Sequence, residues 1–515
     1  SMSRIFSTPA IAIALTATFA ATASAAPLVL ASSGTARYTI VLDPGATAAE
    51  KHAASELALF LKQITGANFP VRETAAIPSG PVIVVGPGAL VAKVAPGRNL
   101  GDLEPDGLVI ETRGEHLILA GTRPRGSLYA VYTFLEDVLG CRWWSSKVSA
   151  IPSTPELTVA EQHVRYVPPL EYREPFWSDA FDADWAVRNK SNGATARLDE
   201  ARGGKISYGR MFVHTFFTFV PPAEHVATHP EWFCELDGKR VGAHNGRGQL
   251  CVTNAELKAF MARQVKAYLG DNPGVGIVSV SQNDALNPCQ CAPCRELEES
   301  EGSPAGPLLH LVNAVAAEVA KEFPDVAIDT LAYQYTRKPP RHVKPLPNVI
   351  VRLCSIECDF SRPLTAPCNK TFAEDIRGWS KICQRLYIWD YTTNFAHYIL
   401  PHPNLRVLGP NVRFFVENGV KGVFEQGAYT SLGAEFAELK AWVLAKLLWD
   451  PTRDNDALVE EFVAGYYGAA APYISDYIRL IHDEAVAKNT NLTCFSSLNA
   501  DFLNLELLGR AEQLF

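Results

Sequence analysis

Several apolar runs in this chain stop on acids, and those acids are the groups with chemistry to offer. The run Gly276–Ser281 ends in Gln282-Asn283-Asp284, and a later one passes Asp329 to reach Tyr333 and Tyr335. The next runs through Arg352 to Glu357, another closes on Trp389-Asp390-Tyr391, and the last on Glu425-Gln426. A carboxyl just past a buried strand faces a concave, partly dry space, where its pKa can rise enough to donate a proton near neutral pH. Several such groups around one pocket suit glycoside cleavage, in which one acid protonates the leaving oxygen and a second group attacks or activates water. If the sugar carries a 2-acetamido group, its own carbonyl can attack the anomeric carbon, and the protein supplies an acid plus a polar residue that orients the amide. The competing role for Asp284 is a helix N-cap. It is followed by Ala-Leu-Asn-Pro-Cys, which reads as a loop and not as a helix start.

Aromatic residues stand at the same level. Trp177, Trp185, Tyr333, Tyr335, Trp389, Tyr391 and Tyr429 offer faces on which sugar rings stack, with core packing as the alternative. His214, in RMFVHTFFTF, is either a partner for a sugar hydroxyl or a hydrogen-bonded core histidine. Directly after Asp284 come Cys289, Cys291 and Cys294. A structural zinc site wants four N or S ligands, and no nearby His or second C-x-x-C supplies a fourth. The alternative is a disulfide or thiol cluster that pins the loop, with Cys354, Cys358 and Cys368 as candidate partners. The expectation is therefore no metal and no cofactor.

These residues need elements to hold them. Between 169 and 430 short apolar runs alternate with helical or looped stretches, the texture of parallel-sheet packing. Eight candidate strands fall near 172–176, 212–217, 249–252, 277–281, 327–333, 349–354, 386–389 and 422–424. Eight in succession predict an α/β fold built on a (β/α)8 TIM-type barrel, whose active site lies at the carboxyl ends of the strands. The second and third are the weakest, as a distorted barrel would explain. Ahead of it, 37–158 reads as a small α+β domain: a helix with Ala54, Leu57, Leu61 and Ile64 on one face and Gly66 as its stop, then the hairpin DGLVIETRGEHLILAG. From 431 to 515 the pattern is helical and ends without a stop signal, so the natural chain is expected to run on.

At 515 residues the chain can bury two or three cores. Residues 1–25 read as a secretory signal peptide, with Arg4, a short apolar run and Ala23-Ser24-Ala25 as the cleavage site. The expected location is secreted or periplasmic. Without Arg4 the net charge is −9, and no basic cluster appears, which argues against nucleic acid and anionic membrane as partners. Oligomeric state is not encoded in any of this.

The stretches SVSQND with CQCAPC, IDTLAYQYTRKPPRHVKPLPNVIVRLCSIEC, LYIWDY, GVKGVFEQGAY, KLLWDP and YYGAAAPY together resemble the DUF4838 family, reclassified in part as glycoside hydrolase family 163, endo-β-N-acetylglucosaminidases acting on complex N-glycans. ELALFLKQITG and RGSLYAVYTFLEDVLGCRWW resemble the small α/β domain that precedes the barrels of family 20 hexosaminidases and of α-glucuronidases. The resemblance implies hydrolysis of β-N-acetylglucosaminide linkages in N-glycans, retaining and substrate-assisted. Family 20 enzymes place an Asp-Glu pair after the fourth strand, where this chain has Asn283-Asp284. Asp284 is then the expected general acid/base, with Glu425 as the second essential carboxylate or, with the roles reversed, the acid. Asn283 and Tyr333 would position the acetamido group, Asp390 and Glu357 would bind hydroxyls or tune the acid, and His214, Trp389 and Tyr391 would contact the sugar. Two other readings remain open: an α-glucuronidase-like hydrolase, with Arg173, Lys338 and Arg352 as candidates for the sugar carboxylate, and a glycan-binding protein without catalysis.

Overall fold

The computed structural model describes residues 27–209, 211–242 and 248–515. The expected leader at 1–25 lies outside the described residues.

The front domain is a six-stranded mixed sheet. Its hairpin, Leu108–Arg113 with His116–Gly121, is antiparallel, while Val82–Val85, Thr39–Leu42 and Val71–Glu73 add on in parallel. The helix Ala48–Thr65 buries Ala53, Leu57, Leu61 and Ile64 against it and stops at Gly66, whose φ of 76° closes the last turn. His163–Tyr166 pairs with Leu108–Arg113, so this domain takes in residues past the expected boundary at 158.

The second unit is a curled parallel sheet of six strands: β1 (Tyr172–Phe176), β2 (Ile277–Ser279), β3 (Ala327–Ala332), β4 (Val349–Cys354), β5 (Arg385–Tyr391) and β6 (Gly422–Gln426). They neighbour one another in the order β1-β6-β5-β4-β3-β2. This is a barrel opened at two positions, and it corrects the count of eight strands. The stretch expected at 212–217 makes no ladder; Tyr208 alone bridges in parallel to Ile277. Side chains and one shared carbonyl anchor the segment: His214 N–H donates to Ser281 Oγ at 2.9 Å, Thr215 Oγ1 to the Ser279 carbonyl at 2.9 Å, Ser281 N–H to Thr215 Oγ1 at 3.0 Å, and the N–H groups of Thr215 and Phe216 both donate to the Ser281 carbonyl at 3.1 Å. The stretch expected at 249–252 contributes one antiparallel bridge, Leu250 to Phe233. Helices α1 (Ala255–Asp271), α2 (Ala292–Glu301), α3 (Ala305–Val319), α4 (Lys370–Ser380) and α5 (Leu408–Glu417) lie between strands, with both α2 and α3 between β2 and β3 and only a 3-10 turn between β3 and β4, and α6 (Ala437–Trp449) leads the C-terminal helices.

Alternation along the strands sends Tyr172, Ile277, Ile350, Tyr387 and Phe424 into the barrel, while Val278, Val351, Ile388 and Val423 face the helices. In the middle of the barrel, where such folds carry layers of apolar side chains, an ion pair is buried. Arg352 and Asp329 are 1% and 0% exposed, and the guanidinium grips the carboxylate through Nη2 at 2.6 Å and Nε at 3.0 Å. Phe212, Tyr208 and Trp389 ring the cation at 4.1, 5.1 and 5.3 Å from their centroids.

Two further buried networks join the front domain to the barrel. Asp106 accepts from Arg125 at 2.8 Å and from Arg173 at 2.7 Å, which holds its carboxyl below the usual range against the effect of burial. Glu136 is clamped between Lys190 and Lys446, and Trp449 lies over both Arg173 and Lys190.

Removing one partner of a buried pair strands the other charge at a cost of about 3–5 kcal/mol, whereas replacing both with apolar groups costs much less. Asp329→Ala should therefore lower the urea midpoint more than the double variant Asp329→Leu with Arg352→Met. Equal losses would mean that the pair is no more than packing volume.

Candidate functional site

At the carboxyl ends of the strands lies a cleft with about 290 Å³ of water-accessible space. Leu331 and Cys354 line its base, Tyr333, Trp389, Tyr391 and Gln426 its sides, and His214, Asp284 and Tyr429 its mouth. Phe395 and Phe495 complete one wall. Phe495 arrives from the C-terminal region on a loop held by Phe395 N–H to the Cys494 carbonyl at 2.8 Å and Asn394 Nδ2 to the Ser496 carbonyl at 2.7 Å. Trp389 and Tyr391 stack at 6.3 Å, and Trp389 Nε1 donates to Gln426 Oε1 at 2.8 Å. The result is an aromatic face with a fixed polar edge.

Asp284 is exposed at the mouth, on the loop after β2. Tyr333 Oη donates to its Oδ1 at 3.3 Å. Burial, and then the negative charge of Asp284, raise the Tyr333 phenol above its ordinary pKa, so it stays protonated and serves as a donor. His214 sits across the cleft, its ring 6.1 Å from that of Tyr333. Its Nδ1 lies 2.8 Å from the Gln282 carbonyl, which requires a proton on Nδ1 and leaves Nε2 as the acceptor of the neutral ring. Both His214 (φ 55°) and Gln334 (φ 50°) occupy the left-handed region, so the backbone is strained on two sides of the cleft.

The structure does not bring Glu425 into this cleft, nor Asp390. Glu425 lies between Phe424, which packs inside the barrel, and Gln426, which lines the cleft; its own side chain points to the helix layer. Asp390 lies between Trp389 and Tyr391 and is turned outward for the same reason. The two acids are register partners on β5 and β6, 3% and 1% exposed. No hydrogen-bond donor of the described residues reaches either Glu425 oxygen. Its register neighbour is Asp390, and two carboxyls buried side by side disfavour charge on both. Burial, then the charge of Asp390, pushes Glu425 well above the carboxylate range; burial pushes Asp390 up to about 6, although Ser355 Oγ donates to it. This corrects the expectation of one pocket shared by Asp284 and Glu425.

Asn283 is also drawn away. Its Nδ2 donates to the Gly248 carbonyl at 2.9 Å and its Oδ1 accepts from Phe217 N–H at 3.2 Å, so its amide braces the loop. Glu357 is exposed at the rim, accepts from Arg337 Nη1 at 3.2 Å and faces a neighbouring depression with Asp359 and Arg362. Its charge still reaches Tyr333 and Tyr391. Trp177 and Trp185 are core residues at 0% and 2% exposure, and Tyr335 turns toward Cys289 and Cys294. Of the residues missed in sequence, Gln426 had a usable signal: if Trp389 and Tyr391 face the cleft, strand parity forbids Asp390 from doing so, and likewise separates Glu425 from Gln426. Phe395 and Phe495 had none, because a loop contact about 100 residues apart leaves no periodic mark.

Among thiols, Cys354, Cys358 and Cys368 are not the companions of the C-x-C-x-x-C stretch. The companion is Cys251, and its sulfur and those of Cys289, Cys291 and Cys294 all lie within 4.8 Å of one another.

Because both acids of the Asp390–Glu425 pair have folded-state pKa values above their unfolded ones, the fold holds protons that the unfolded chain has released. The pair therefore favours folding at acid pH, and this is lost as pH rises through about 6 and beyond. Glu425→Gln, neutral throughout, should melt progressively higher than the unsubstituted protein as the pH is raised, by a few degrees at about pH 8. Its turnover should stay within a few-fold; a loss of about a hundredfold or more would return Glu425 to the chemistry.

A family model described as Domain of unknown function (DUF4838) matches residues 143–479, and one for the N-terminus of glycosyl hydrolase family 67 matches 34–134. No curated protein matches the chain. Among solved structures, a family GH115 4-O-methyl-α-glucuronidase with specificity for decorated arabinogalactans aligns with TM-score 0.55 and 11% identity, over 90% of this chain. The chain spans 63% of that enzyme's length. An N-acetyl-β-hexosaminidase of Streptomyces plicatus aligns with TM-score 0.49 and 14% identity, over 86% of this chain and 91% of its own.

Proposed function

The chain belongs to the DUF4838 family, and from that premise we propose that it is a retaining glycoside hydrolase cleaving β-N-acetylglucosaminide linkages in N-glycans, with the substrate's acetamido group as nucleophile. One observation carries the reading: among the described residues lining the cleft, Asp284 is the single carboxylate, and it is bonded to a phenol that stays protonated. Double displacement by two protein carboxyls needs a partner about 5–5.5 Å away across the sugar. A 2-acetamido sugar brings its own nucleophile and needs one acid.

In this mechanism Asp284 takes up a proton from solvent as the sugar binds and donates it to the glycosidic oxygen as the amide carbonyl attacks C1. The C1–O bond breaks, the aglycone leaves protonated, and an oxazolinium remains. Asp284 then takes a proton from water as it opens the ring with retention. Tyr333 positions Asp284, Trp389 and Tyr391 stack the sugar, and His214 and Gln426 receive its hydroxyls. Residues 1–25, read as an export leader, would deliver the chain to glycans outside the cytoplasm.

The uronic-acid alternative needs a free cation in the cleft. Arg173 and Arg352 are both buried in ion pairs, and neither Lys nor Arg appears among the described lining residues. This favours a neutral sugar.

Incubation with an N-glycoprotein and, separately, with glucuronoxylan should release oligosaccharide from the first alone, read by mass spectrometry. Asp284→Asn should lower kcat by about 10²–10⁴ on the glycan and far less on a dinitrophenyl glycoside, whose leaving group needs no proton. Stepwise fluorination of the acetamido methyl should slow turnover in step. Uronic acid release would establish the alternative, and saturable binding without product would make the protein a glycan receptor.

A further inference from the structure

Three of the four clustered cysteines stand within six residues: Cys289 in the loop, Cys291 as the N-cap of α2, and Cys294 in its first turn. The fourth, Cys251, comes from the segment that precedes α1. All four are buried, at 3–5% exposure. Cys289 to Cys291 is 3.4 Å, Cys251 to Cys291 is 3.5 Å and Cys251 to Cys294 is 3.9 Å, and the remaining separations stay within 4.8 Å. Cys251 and Cys291 each approach two other sulfurs, so the four do not divide into isolated pairs. A tetrahedral Zn²⁺ with Zn–S bonds of about 2.3 Å holds its sulfurs about 3.8 Å apart, and the cluster has that size.

The surroundings suit thiolates. Glu235 N–H donates to Cys289 Sγ at 3.3 Å, Thr253 Oγ1 lies 3.1 Å from Cys294 Sγ, and Arg240 Nη1 lies 4.0 Å from Cys289 Sγ. The Arg240 guanidinium beside Cys289 brings positive charge toward the double negative charge of a metal bound by four thiolates. Carboxylates are absent from the set, which disfavours Mg²⁺, Ca²⁺ and Mn²⁺.

We propose that Cys251, Cys289, Cys291 and Cys294 form a closed structural Zn²⁺ site that ties the Asp284 loop to the segment before α1. Binding displaces the four thiol protons and needs no oxidant. The mechanical link is visible. Gln249, two residues before Cys251, accepts from Asn283 N–H at 3.0 Å and donates to the carbonyls of Asn283 at 2.8 Å and Ala285 at 3.0 Å. Asp284 is thus gripped between a knot on one side and that knot's neighbouring strand of chain on the other.

The test uses the whole chain purified without chelator. Elemental analysis should find one zinc per chain, and organomercurial titration should release it in step with four thiols. Co²⁺ in its place should give thiolate charge-transfer bands and the visible bands of a tetrahedral ion. Cys251→Ser should lose the zinc, while Cys234→Ser, altering a thiol of the same apolar pocket outside the ligand set, should keep it. If Cys251→Ser does not fold, the cobalt spectrum and the Cys234→Ser stoichiometry decide. Amide exchange across 283–290 should rise when zinc is stripped. A non-reducing peptide map joining any two of the four cysteines, bound iron, a metal-free protein after zinc incubation, or zinc lost from Cys234→Ser and kept by Cys251→Ser would each overturn the assignment.

Discussion

A charge inside a barrel must be answered from inside the barrel, and the Arg352–Asp329 pair is how this fold meets that demand. Arg352 is answered by the carboxylate of the neighbouring strand, by the Phe212 carbonyl at 3.0 Å and by three aromatic faces. Phe212 belongs to the stretch with no ladder to hold it, so the cation does part of the work a missing strand would do. Two residues further on is His214, and Trp389, resting on the same cation, forms a side of the cleft. The geometry of the site is therefore set from beneath, by an interaction that touches no ligand.

The position of Asp284 is over-determined in a similar way. Its flanking residues are held by Gln249, Gly248 and Phe217, and its carboxylate by Tyr333. A catalytic acid must reach the glycosidic oxygen within a fraction of an ångström, and a bare loop would not hold it there. The front domain adds stiffness from the other end, because Asp106 and Glu136 each join charges from both units and could not be exposed without stranding them.

Much of this was readable in the chain. Runs such as AIDTLA and VIVRLC are apolar on both faces, which is what a strand buried in a parallel sheet must be, and all six strands observed had been expected within a few residues. The failures have physical causes. RMFVHTFFTF is as apolar as a strand, but its chain turns at a left-handed histidine and is held by hydroxyls and by two bonds to the one carbonyl of Ser281, and composition does not report φ. WDY and FEQ each place an acid beside residues that reach the cleft, and strand parity alone would have sent both acids outward. Cys251 lies 38 residues before Cys289, and only the folded chain shows that the two meet.

The strand order also carries a message about time. Among the described residues β1 finds its ladder partner in β6 alone, so Tyr172–Phe176 leaves the ribosome with no strand to join until some 250 residues later, when Gly422–Gln426 emerges. Throughout that interval the nascent chain carries an unpaired strand edge beside a front domain whose own sheet is already complete. The opposite end has no such delay, since β2, β3 and β4 pair with neighbours next in sequence. Synthesis thus builds the sheet from its β2 edge and closes it last where β1 meets β6.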